Sequence, residues 1–166
     1  MGIATAKGRQ RAFVESLSIE IPPRAWQMLI AHPVAMCTSL NGRRYATLVL
    51  GVQPASHAPP LICIASQCGN VIDPVLRDSH VFSVFSLVPS ERVLSKRLSD
   101  GVTIRGMDIF DGIDVERLQG GLPALASSPV ALECEVVRHI DLEADHQLYV
   151  GKITSCRVRE MMQAAC

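Results

Sequence analysis

The 166-residue sequence has few aromatic side chains: one Trp, two Tyr and four Phe make up only 4% of it. Since 48% of the residues are nevertheless hydrophobic, the core is left mainly to Val, Leu, Ile and Ala, a selection that suits strands. Net charge is lacking too. Sixteen Lys and Arg balance sixteen Asp and Glu, so no long-range field steers the protein towards nucleic acid or an anionic membrane, and neither is expected as a partner. Long apolar runs are missing: Ala46 to Val52 falls far short of the roughly 20 residues that cross a bilayer, and MGIATAKGRQR carries basic residues without an apolar signal core. Myristoylation at Gly2 would want Ser or Thr where Ala6 stands, and Cys166 is misplaced for prenylation. A cytoplasmic location is expected.

Signature motifs are absent as well. There is no HExxH, GxSxG, Walker or GxGxxG pattern, which leaves the familiar metalloprotease, hydrolase and nucleotide-binding readings without support. The six cysteines include no C-x-x-C pair, and His32, His57, His80 and His139 show no ligand spacing, so no metal site is expected. Cys37, Cys63, Cys134 and Cys156 lie in apolar or alternating runs, where a reduced cysteine behaves as a small hydrophobe. Cys68, in SQCGN, is the one expected to be exposed.

A chain of this length is most economically one domain; residues 1–12 read as a flexible tail and 13–166 as the domain. After the alternating AFVESLSIEIPP, the spacing predicts a short helix over Arg24–Ala31 that turns Trp26, Leu29 and Ile30 inward. VAMCTSL, Asn41-Gly42 and RRYATLVLGV form a predicted hairpin, because Asn-Gly readily takes the positive φ angles of a two-residue turn. Residues 53–60, with Pro54 and the pair Pro59-Pro60, read as a kinked connection, followed by the strand LICIAS. Asn70 is placed as the N-cap of VIDPVLRDS, and HVFSVFSLV alternates as a strand. Ser90 is expected to cap a helix ERVLSKRLSDG that ends at Gly101. Residues 101–123 have no sustained period and read as loop, with one helical turn around Val115 to Leu118. PVALECEVVRHIDL and HQLYVGKITSCRVRE form two long strands, antiparallel across the acidic EAD. Six or more strands in succession with two or three short helices predict a mainly β protein, a closed or nearly closed barrel with helices at its ends.

Three groups of residues have candidate chemistry. Thr38, Ser39, Thr47, Ser56, His57, Ser66, Gln67 and Asn70 are hydroxyls, amides and an imidazole near strand ends, able to meet a phosphate or the polar edge of a planar heterocycle, with Arg43 or Arg44 supplying charge. Asp145 beside His146 can hold the imidazole in one tautomer, as a donor or proton relay. Asp108 and Asp111 are a carboxylate pair that reads as loop decoration.

TSLNG at 38–42, SHAPPL at 56–61, FSVFSL at 82–87, ERVLSKRLSDG at 91–101, LPALASSPVALECEV at 122–136 and ADHQLYVGKI at 144–153 together resemble the flavin reductase-like family of FMN-binding split barrels, across about residues 25–158. The resemblance implies a split β-barrel homodimer that holds a flavin, FMN or alternatively FAD, and moves a hydride to it from NAD(P)H. The reduced flavin would serve a partner such as a monooxygenase. It assigns flavin contacts to the stretch Thr47, Leu48, Val49, Leu50 and Gly51 through Ser56, to Ala65 and Ser66, and to Asn70, and it sets His146 near the reacting rings. Where the family pattern has NSFxSVS, this sequence reads LGVQPAS and keeps Ser56 alone. A competing expectation follows: a non-catalytic split-barrel dimer with a degenerate flavin site, acting as a binding or assembly module.

Overall fold

The computed structural model describes residues 19–99 and 108–159; the expected tail over 1–12 and the helix end at Gly101 lie outside them. Among the described residues, three helices, α1 (Pro23–Ala31), α2 (Ile72–Ser79) and α3 (Arg92–Ser99), accompany nine strands. These are β1 (Val34–Leu40), β2 (Arg43–Val49), β3 (Gly51–His57), β4 (Pro60–Gln67), β5 (Val81–Ser86), β6 (Val115–Arg117), β7 (Pro123–Leu125), β8 (Val130–Asp141) and β9 (His146–Val158). Seven form one antiparallel sheet in the order β2-β1-β5-β8-β9-β4-β3, and β6 pairs with β7. The edge strands of the large sheet, β2 and β3, are consecutive in the chain with only Leu50 between them. Its two edges therefore meet, and the sheet curls into a split barrel.

The β1–β2 hairpin forms around Asn41 (φ 53°) and Gly42 (φ 77°), the positive angles that Asn-Gly supplies. Its second strand was expected to run to Val52, but it stops at Val49. Gly51–His57 is a strand in its own right, where a kinked connection was expected. It pairs with β4 through Ala65, Ile64, Cys63 and Ile62. Pro54 is tolerated because β3 is an edge strand with a register shift between Pro54 and Ser56, so the missing N–H breaks no interior ladder.

Two apolar clusters sit on opposite sides of the sheet. Met36, Ile62, Ile64, Phe82, Val84, Leu132, Tyr149 and Ile153 fill the barrel, closed by Ala25 and Leu29 of α1 and Ile72 and Leu76 of α2. Ala35, Cys37, Phe85, Ala131, Leu94 and Leu98 of α3, Phe110, Leu118 and Leu125 make the second, outside β1, β5 and β8. This double cover explains why Phe82 through Ser86 are all buried although their sequence alternates. In α1, Ala25 and Leu29 face the core while Ile30, expected inward, is 71% exposed; at 100° per residue it lies about 140° round the helix from Ala25. The turn expected around Val115 to Leu118 is instead β6, because Pro123–Leu125 offers it a partner strand.

Glu133, inside the ALEC segment, is 2% exposed. Its carboxylate accepts hydrogen bonds from the N–H groups of Gly120 (2.6 Å) and Leu122 (2.9 Å) and from Ser155 Oγ (2.6 Å). A buried charge so surrounded is satisfied by three donors, and it ties the β6–β7 turn to β8 and β9. Gly151 of β9 lies where strands and core crowd together. A Cβ there would stand 2.5 Å from Phe82 Cζ and 3.0 Å from Cys134 Cβ, both fully enclosed. Gly151→Ala is expected to destabilise the fold by about 1–3 kcal/mol through overpacking. In urea unfolding, adding Phe82→Leu to that variant should cost less than the two single changes summed, because they share one contact.

Candidate functional site

The corner between β2 and β3 lies over the carboxyl end of β4. Leu50 N donates to Ala65 O at 3.0 Å, and Gly51 pairs with Ala65. One step further along β4, Gln67 pairs with His146 at the start of β9, and Cys68 N donates to Asp145 O at 2.9 Å. Asn70 closes the arrangement. Its Nδ2 donates to Thr47 Oγ1 at 2.5 Å, while its Oδ1 accepts from Ile72 N at 3.3 Å and its backbone O from Asp73 N at 3.1 Å. The N-cap position of α2 is Val71, whose side chain makes no cap bond; Asn70, expected there, stands one residue earlier and caps through Ile72 N.

The result is a shelf built from Leu50 and Gly51, from Ala65 and Gln67, from the turn Cys68-Gly69-Asn70-Val71, and from His146; of the other expected residues of β2, Thr47 is buried beneath it, Leu48 packs against the outer cluster and Val49 against the barrel core. Leu50 and Val71 are 75% and 44% exposed. At Gly51 and Gly69 an added Cβ would meet nothing within 4 Å, and Gly69 has φ 74°. Among the described residues, the N–H groups of Gly69, Asn70 and Val71 have no backbone partner, and they precede the amino end of α2. Free N–H groups at a helix start suit an anion, and the exposed Leu50 and Val71 suit a flat apolar face. These residues fit the mixed chemistry of a flavin nucleotide, with its planar ring system, polar edge and phosphate.

His146 Nδ1 lies 3.2 Å from Asp145 Oδ1, its side chain about one quarter exposed (27%). The hydrogen bond from His146, and then its charge, hold the Asp145 carboxyl below the ordinary carboxylate range. With Nδ1–H so engaged, Nε2 is the nitrogen left to meet a ligand. Beneath the shelf, Tyr149 Oη donates to Asp73 Oδ1 at 3.2 Å. Burial, followed by the Asp73 carboxylate, pushes the Tyr149 hydroxyl up to about 12.

Other expected residues are placed elsewhere. Thr38 Oγ1 donates to Val81 O (2.7 Å) and lies 3.0 Å from Ser79 Oγ, at the opposite end of α2 from Asn70. Thr38 and its neighbour Ser39 thus stand on the hairpin-turn half of β1, opposite Tyr45 and Arg44. Ser56, opposite Leu61, stands five residues along β3 from Gly51, roughly 17 Å at strand spacing, with His57 beyond it. Ser66 is on β4, but its side chain is buried towards the barrel interior. Arg44 does not supply charge to the shelf: its Nε donates to Asp108 Oδ2 at 2.7 Å, and its guanidinium lies 5.1 Å from the Phe110 ring centre. Asp108 also accepts from Phe110 N at 3.0 Å, so it is an anchor for its segment; Asp111 is exposed. Cys37 and Cys134 are buried, and burial pushes both thiols up; Cys156 is raised to about 11 for the same reason. Cys68 is exposed as expected and donates to Ala144 O at 3.5 Å. Val71 and Gly69 were missed by sequence reasoning. Their only signal was a small-residue turn just ahead of a helix.

The curled seven-stranded antiparallel sheet with helices closing it defines a split-barrel domain. Residues 28–165 match the model of the flavin reductase like domain, and the chain belongs to that family. No curated protein matches it. Among solved structures, it is similar to a nitrilotriacetate monooxygenase component B homologue from Mycobacterium thermoresistibile, with 20% identity and a TM-score of 0.71 over 96% of this chain and 82% of the other. It is also similar to the styrene monooxygenase flavin reductase of Pseudomonas putida, at 23% identity and a TM-score of 0.65 over 82% and 86%. A third likeness is to an NADH:FAD oxidoreductase of Streptomyces globisporus, at 20% identity and 0.68 over 86% and 88%. At these identities the likenesses establish the fold.

Two outcomes test this geometry. Asn70→Ala removes both the helix cap and the link to Thr47, and should cost about 1 kcal/mol in urea unfolding. The ultraviolet difference between wild type and Tyr149→Phe should show a tyrosine that ionises at about pH 12 rather than about 10. Because the folded value is raised, this contribution to stability is full below pH 10 and is lost as pH rises towards 12.

Proposed function

We propose that this protein is a flavin reductase that binds FMN, or FAD in its place, on the shelf and reduces it with NAD(P)H for a partner such as a monooxygenase. It acts as a homodimer in the cytoplasm, with residues 13–166 as one domain. The observation that carries the reading is the joint exposure of Leu50 and Val71 beside the unpaired N–H groups of Gly69, Asn70 and Val71, in a chain that belongs to the flavin reductase-like family. Three solved proteins of this fold are named as flavin reductases or as an NADH:FAD oxidoreductase, one of them the reductase of a two-component tryptophan halogenase.

The flavin supplies the hydride acceptance that no amino-acid side chain offers. The protein's own residues bind, orient and exclude water. Leu50 and Val71 remove water from the apolar ring surface, at about 25 cal/mol per Å² covered. The turn N–H groups donate to the phosphate, and Thr47 holds the Asn70 amide so that the turn keeps its shape when the anion binds. Gly51 and Gly69 leave room for close approach to the backbone. His146 is oriented by Asp145 through Nδ1, which leaves Nε2 to exchange a proton or a hydrogen bond with the nicotinamide or flavin edge. Because Arg44 is committed to Asp108 and Arg43 stands opposite Leu40 at the hairpin-turn end of β2, the phosphate relies on backbone donors.

The test is FMN titration by fluorescence, followed by NADH and NADPH oxidation with added flavin. Binding and turnover are expected, and Leu50→Asp should weaken FMN binding at least tenfold while the unfolding midpoint stays unchanged, since Leu50 is 75% exposed. A protein that neither binds FMN nor consumes either nucleotide overturns the enzyme reading and favours a non-catalytic module. His146→Ala with unaltered turnover removes that residue from the chemistry.

A further inference from the structure

On β4 and β9, alternate residues point into the barrel: Ile62, Ile64 and Ser66 on one strand and Gln147, Tyr149 and Ile153 on the other. Ser66 and Gln147 are direct cross-strand partners, 0% and 4% exposed. Ser66 Oγ and Gln147 Nε2 are both buried without a hydrogen-bond partner among the described residues. The neighbouring groups are already engaged. Gln147 Oε1 lies 2.6 Å from His139 Nε2, and the His139 ring stacks on Tyr149 with centroids 4.9 Å apart. Tyr149 Oη in turn donates to Asp73. The Gln147 amide therefore cannot swing towards Ser66 without giving up His139.

We infer that Ser66 and Gln147 share one bound water molecule inside the barrel mouth. Its oxygen accepts from Gln147 Nε2, and one of its protons is donated to Ser66 Oγ. Two unpaired buried polar atoms on directly paired residues are each costly, and a single bridging water satisfies both at once. The chain His139–Gln147–water–Ser66 then joins β8, β9 and β4 below the strand ends that carry Gln67 and His146. The site lies on the opposite face of β4 from the shelf, so it stands whether or not flavin binds there.

A high-resolution crystal structure of the full chain tests this directly. A water peak within hydrogen-bond distance of both Ser66 Oγ and Gln147 Nε2 is expected. A direct Ser66–Gln147 contact, or no density between them, overturns the inference. Thermal unfolding gives an independent sign. Ser66→Ala takes a partner from the water and should lower the melting temperature by a few degrees, whereas a hydroxyl that is truly unpaired would make the variant as stable as wild type or more so, and that result also overturns it.

Discussion

Everything in this fold depends on the short connection at Leu50. A seven-stranded antiparallel sheet whose edge strands are separated by one residue cannot lie flat, because the chain has no length to cross the sheet's width. Closure follows, and so does the position of the shelf: the corner that joins the edges is itself laid across the end of β4, with Leu50 N on Ala65 O. The same residue that closes the barrel is left 75% exposed at its rim.

The interior solves a different problem, that of building a core with few aromatic rings. Strands β1, β5 and β8 carry apolar side chains on both faces, one set inside the barrel and the other under α3 and the segment around Phe110. A strand covered twice buries twice the apolar area per residue, which lets Val, Leu, Ala and Cys do what larger rings do elsewhere. Several polar groups drawn into the interior are paired within the protein, whereas Ser66 Oγ and Gln147 Nε2 have no protein partner among the described residues. Glu133 has three donors, Asp73 has Tyr149, and Thr38 has Val81 and Ser79.

Much of this was legible in the residues. Asn41-Gly42 marked its hairpin, because few dipeptides accept two positive φ angles, and the lengths and alternation of PVALECEVVRHIDL and HQLYVGKITSCRVRE gave β8 and β9. Asn70 was recognised as a cap from its place before the helix. Ser56 and Thr38 were grouped with the site because they are polar and near strand ends, yet register sends the first along an edge strand and the second to the far end of α2. Gln147 carries a readable signal of its own, since a polar residue at an inward position of an alternating strand needs a partner.

The sequence by itself determined the strand-rich architecture, the principal hairpin, the family resemblance and the polar turn ahead of α2, because these depend on local backbone preference and short-range pattern. Only the tertiary structure decided that Gly51–His57 pairs as an edge strand, that Arg44 is spent on Asp108, that Ile30 faces outward, and that Leu50, Gln67, Asn70 and His146 share one surface. Each of those is a contact between residues distant in the chain or an angle around an element, and its energy comes from neighbours that no local pattern names.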